Sequence, residues 1–101
     1  MTEDKTTLSA EEVDAEVQTL TGWHRTGIII SRDFVFDNFK DITSFLNHLT
    51  RTITDQNHHP DFSLDTGKRT IAVSVTTHSE GAVTKSDVLF ARSLNQWEPG
   101  T

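Results

Sequence analysis

The periodic pattern of the chain starts at Ser9. Ser9-Ala-Glu-Glu places Glu12 three residues after a serine, the spacing of a capping box, and Val13, Val17 and Leu20 follow at helical intervals. A short first helix ending near Gly22 is therefore expected. From Trp23 to Arg25, and again from Ile28 to Phe36, aromatic and β-branched residues dominate, with Gly27 and Ser31-Arg32-Asp33 as points of bend or bulge. Two strands, paired antiparallel, are expected there. Between Asn38 and Gln56, Ile42, Phe45, Leu46, Leu49 and Ile53 recur at steps of three and four, while Asp41, Asn47, Arg51 and Asp55 fall elsewhere. A single apolar stripe of this kind is the strongest helical signal in the chain.

Pro60 cannot donate within a helix and biases His59 away from helical geometry, so the long helix must end at or just before His58-His59. Phe62 to Leu64, a turn at Asp65-Thr66-Gly67, and Arg69 to Thr77 then predict a hairpin, with Ile71, Val73 and Val75 alternating onto one face and His78 at the strand end. Gly81 supplies a loop. Thr84 with Asp87 repeats the capping pattern, and Val88, Phe90, Ala91 and Leu94 predict a last helix to about Asn95. The order α-β-β-α-β-β-α implies an α+β fold: a four-stranded antiparallel sheet with helices packed on one face. Phe34, Phe36, Phe39 and Phe45 are core candidates. Residues 9–95 are expected to form one domain between flexible tails at 1–8 and 96–101.

Composition narrows the function classes. At 101 residues the chain suits one core, and its 34% hydrophobic content leaves a polar surface compatible with self-association. Fifteen acidic against nine basic residues give a formal charge of −6 with no basic cluster, which argues against direct nucleic-acid binding. Without cysteine there is no disulfide, thiolate nucleophile or zinc ribbon. The opening Met1-Thr-Glu-Asp-Lys is polar and acidic, unlike a targeting peptide, and no apolar run approaches the roughly 20 residues of a membrane span, so a cytoplasmic location is expected.

Three of the five histidines gather in Asn57-His58-His59-Pro60 and Thr76-Thr77-His78. Histidine alone has an ordinary pKa, about 6.5, that allows proton transfer in either direction near neutrality, so their placement at segment ends suggests acid/base chemistry. A bland reading competes: histidines capping a helix C-terminus, where a cation meets the dipole. A metal set is disfavoured, since adjacent histidines point apart and no His-x-x-x-His or Glu-x-x-His spacing occurs. His78 taken alone reads as an ordinary strand-end residue, but the hairpin can return it toward the helix exit. Asp87 is explained by capping alone. His24 and His48 read as surface or packing residues.

Together, His58-His59-Pro60, Thr77-His78, Gly81 and Thr84-x-x-Asp87 resemble the signature of the pterin-4a-carbinolamine dehydratase family, and the similarity extends upstream through Trp23, Ile30, Phe34, Phe36, Phe39 and Phe45. The resemblance implies dehydration of a 4a-hydroxytetrahydropterin to the quinonoid dihydropterin in tetrahydrobiopterin recycling, with no metal or organic cofactor. It implies His58, His59 and His78 as catalytic residues, Asn57, Thr76, Thr77 and Ser79 as pterin contacts, Asp87 as support, and a homodimer or homotetramer. A non-catalytic assembly or dimerisation module, a role some family members have, is the alternative. Two departures from the family pattern stand out. Thr54 occupies the position, four before the first histidine, where the family often has Glu, and the hairpin is about two residues longer than usual, with no aromatic residue near Thr66 or Lys68.

Overall fold

The computed structural model describes residues 3–100. Ser9 opens α1 (Ala10–Val17) with both halves of a capping box: Glu12 N donates to Ser9 Oγ, and Ser9 N donates to Glu12 Oε1. Helical hydrogen bonding stops at Gln18, short of Gly22, and a turn carries the chain into β1 (His24–Thr26). Gly22 is required in that turn. Its φ is +83°, and a Cβ there would lie 2.6 Å from Arg32 Nε.

β1 pairs antiparallel with β2 (Ile29–Val35), and after α2 (Phe39–Gln56) the hairpin of β3 (Asp61–Asp65) and β4 (Thr70–Val75) completes a sheet in the order β1-β2-β4-β3. In the turn, Asp65 Oδ1 accepts from Lys68 N, and the left-handed residue is Arg69, at φ +47°, not Gly67. The last helix, α3, spans Lys85–Leu94. The fold class and element order expected from the sequence are both found.

Alternation in the two central strands decides which face the helices cover. Ile30 and Phe34 of β2, with Ile71, Val73 and Val75 of β4, are buried, whereas Asp33 and Val35 point outward and are exposed. The buried side chains meet Ile42, Phe45 and Leu49 of α2, Val13 of α1 and Phe90, Ala91 and Leu94 of α3 in one core. Phe45 lies at its centre, its ring 4.5 Å from that of Phe34 and 5.3 Å from that of Phe36. Complete burial of a side chain this size contributes roughly 1.5–3 kcal/mol.

Phe39 corrects the expected core list, since it is 53% exposed. It shares the stripe by angle, but as the first residue of α2 it has no preceding helical turn beside it, and the Arg69 guanidinium lies over its ring at 5.9 Å.

Of the expected tails, Met1, Thr2 and Thr101 lie outside the described residues. The remainder is in contact with the domain. Leu8 N donates to Val83 O, Thr7 bridges Thr84, and Trp97 packs on Phe36 and Phe45 while donating from Nε1 to Ser44 Oγ.

Candidate active site

The exit of α2 is built by Asn57, whose φ of 49° is in the left-handed region that terminates helices, and His58 N still reaches Ile53 O. Pro60 then commits the chain to β3. On the return, β4 loses both partners at once, since its pairing with β2 ends at Ile30↔Val75 and with β3 at Asp61↔Ser74. This corrects the expected end of the strand: His78 does not close β4 but opens a single 3-10 turn, His78–Glu80. Thr77 pairs with Ala82, and Gly81 closes the turn at φ +60°.

Helix exit and turn face each other across a cleft of about 220 Å³. It is lined by His58, His59 and His78 with Asn57, Thr76, Thr77 and Ser79, and also by Glu3 and Lys5. The seven residues singled out from the sequence as catalytic or pterin-contacting are thus brought together. Larger hollows of about 450 and 470 Å³ lie elsewhere, but the first borders no histidine and the second only His48. Volume alone is a poor guide here, and the chemistry favours the smaller cleft.

The three histidines differ sharply in environment. His59 and His78 are exposed, and among the described residues neither ring makes a hydrogen bond to another group. His58 is buried, with its ring against Phe90. Its Nε2 lies 2.5 Å from Asp87 Oδ1 and its Nδ1 lies 2.7 Å from Glu3 Oε1. An ionised carboxylate only accepts, so a carboxylate at each ring nitrogen favours the doubly protonated imidazolium. Burial pushes its pKa down, but the hydrogen bonds to Asp87 and Glu3, reinforced by their charges, outweigh that and raise it.

Asp87 itself is fully buried and does two things. Its Oδ2 accepts from Thr84 N at 2.9 Å, which caps α3, and from Thr77 Oγ1 at 2.8 Å, while Oδ1 is left for His58. Thr77, Thr84 and Ser86 hydroxyls continue the network at 2.7 Å spacings. The carboxylate that caps α3 is therefore the same one that bonds His58. Thr54, by contrast, is exposed and bonds back to Thr50 O.

Glu3 and Lys5 were not singled out from the sequence. Nothing in local spacing links Glu3 to His58, 55 residues away. Among the described residues no three His, Cys, Asp or Glu side chains are arranged to share a metal ion. Nor, among them, is any helix long and apolar enough to cross a membrane.

Comparison with known proteins shows the family of the chain. Residues 6–97 match the family model described as pterin 4 alpha carbinolamine dehydratase. A Sulfurisphaera tokodaii protein is 33% identical over 89 residues, covering 88% of this chain and 94% of its own, and one from Mycobacterium avium is 34% identical over 88, covering 87% and 92%. Both carry the name "Putative pterin-4-alpha-carbinolamine dehydratase". A Brucella melitensis crystal structure described as "transcriptional coactivator/pterin dehydratase" superposes with a TM-score of 0.82 at 27% identity, covering 89% of this chain and 96% of that one. The match spans the helix exit, the 3-10 turn and the cap of α3 alike, and this chain belongs to the pterin-4-alpha-carbinolamine dehydratase family.

Proposed function

We propose that the cleft binds a 4a-hydroxytetrahydropterin and removes water from it, giving the quinonoid dihydropterin, as a step in tetrahydrobiopterin recycling. The reaction needs two proton transfers. The 4a-hydroxyl leaves with a proton as water, and N5 gives up its proton as the C4a–N5 double bond forms. The observation that carries the reading is the pair His59 and His78, both exposed and lining one cleft, with neither ring hydrogen-bonded among the described residues. One acts as acid and the other as base. His58 is unsuited to either task, because carboxylates occupy both its nitrogens, and it serves to hold the site. Asn57, Thr76 and Ser79 supply polar groups for the edges of a pterin ring, while Thr77 serves chiefly through Asp87. Stopped-flow dehydration of an authentic 4a-hydroxypterin tests this: the wild type should exceed the spontaneous rate, and His59→Ala and His78→Ala should not approach it. A wild-type rate equal to background would refute the reading.

Self-association is proposed on a separate observation. Every residue of edge strand β3 is exposed, including Phe62 and Leu64, and its outer backbone groups lack a neighbouring strand among the described residues. Such an edge suits sheet extension into a homodimer, or a homotetramer by further helix packing. It would equally serve a module that assembles with other chains. Light scattering on the purified protein decides: a strict monomer at micromolar concentration removes self-association.

A further inference from the structure

The exposed position of Thr54 leaves α2 without a carboxylate for His58, and the second carboxylate comes from the opposite end of the chain. Residues 4–8 run beside the start of α3, where Ser86 N donates to Asp4 O at 2.9 Å and Lys85 N to Thr6 O at 3.0 Å. These two amides belong to the first turn of a helix, where no intrahelical acceptor is available, so the segment and the helix satisfy each other. The bridge from Thr7 to Thr84 and the bond from Leu8 N to Val83 O extend the register. Held in this way, the segment delivers Glu3 Oε1 to His58 Nδ1, with the Glu3 side chain only 17% exposed. Lys5 Nζ lies 3.8 Å from Glu3 Oε2 and 3.3 Å from Ser79 Oγ, tying the segment to the turn that carries His78.

We propose that Glu3 is a positioning residue of the acid/base site, fixing the His58 ring from Nδ1 while Asp87 fixes it from Nε2, so that the N-terminal segment forms one wall of the cleft. The inference rests on the dehydratase reading above. His59 follows His58 directly in the chain, so a ring clamped at both nitrogens also sets where His59 stands. The groups facing His58 are Glu3 from the segment, Asp87 and Phe90 from α3, and, through Glu3, the ammonium of Lys5. Loss of the Glu3 charge leaves Asp87 as the single anion on the ring.

The test is Glu3→Gln in the full chain, read in two ways. By NMR, the His58 ring should titrate at lower pH than in the wild type, because one of the two anions that raise its pKa is gone. In the dehydration assay, kcat should fall on the order of tenfold with little change in KM, the scale of one hydrogen bond to a charged group, and the alkaline limb of the kcat profile should move to lower pH. Glu3→Asp, which keeps the charge, should recover part of both effects. An unchanged His58 titration, or a shifted titration with wild-type kcat, overturns the proposal. A wild type without dehydratase activity sinks the functional reading instead, while the titration still reports whether Glu3 acts on the ring.

Discussion

The two ends of α3 each carry a polar cluster, and they are built to different purposes. At the C-terminal end, Asn95 Oδ1 accepts from Trp23 Nε1 at 2.8 Å and from an Arg32 guanidinium nitrogen at 2.7 Å, and Asn95 Nδ2 donates to Thr21 O at 3.0 Å. Arg32 also reaches Thr21 O and lies over the Phe34 ring. Its pKa is lowered by burial, but from so high a starting value that it stays charged. None of Thr21, Trp23, Arg32 and Asn95 changes protonation near neutrality. At the N-terminal end, Asp87 of the same helix and Glu3 of the N-terminal segment hold His58 between them, beside a cleft also lined by His59 and His78. One cluster joins elements together, whereas the other stands beside a cleft lined by histidines. Buried polar bonding alone does not make a site.

The sharpest way to test that contrast is to remove the free rings. His59→Ala or His78→Ala should lower dehydration turnover by about 10²–10⁴-fold, the usual contribution of a positioned acid or base. Both side chains are exposed, so thermal unfolding should be nearly unchanged. If activity survives both substitutions, the cleft is not where the protons move. Asp87→Ala comes next and should affect both properties. It removes the acceptor for Thr84 N and Thr77 Oγ1 and leaves His58 with one carboxylate, so denaturant unfolding should show a loss of about 3–5 kcal/mol, the cost of breaking a buried charge pair. Asn95→Ala should destabilise by about 1–3 kcal/mol, chiefly by orphaning Trp23 Nε1, while leaving kcat at the wild-type value. A kinetic defect in that variant would erase the distinction between the two ends.

Much of this was legible in the sequence because it depends on local rules. The stripe from Ile42 to Ile53 defined α2, Ser9 and Thr84 marked helix starts, and Pro60 with the alternation of Ile71, Val73 and Val75 placed the histidines at one end of the fold. What was hidden depends on tertiary partners. The cap role of Asp87 follows from Thr84-x-x-Asp, but a capping carboxylate has a second oxygen whose partner no spacing reveals, and here it is His58. Glu3 lies in a segment with no periodic signal, and its backbone bonds are made to the unpaired amides of α3, which become visible only once the helix is in place. The strand end at Val75 was likewise set by where β2 and β3 stop, so His78 begins a turn. Phe39 shows the converse, a residue on the correct face but at a helix end with too little around it.

The smallest expected effect is also specific to one end of α3. In the folded protein the pKa of His58 is raised above its ordinary value of 6.5, because the bonds and charges of Asp87 and Glu3 overcome burial. The stability this contributes is therefore complete below the unfolded-state pKa and is lost as pH rises through the folded one. A single proton limits the slope to about 1.4 kcal/mol per pH unit, so unfolding free energies measured by denaturant from mildly acidic to mildly alkaline pH should decline gently toward the alkaline side. Asp87→Asn should flatten that decline, since it removes one of the two anions that favour the imidazolium, whereas Asn95→Ala should lower the whole curve in parallel. If the Asp87 variant kept the wild-type slope, the proton lost would belong to another group, and His58 would be a packed residue of the same kind as Asn95.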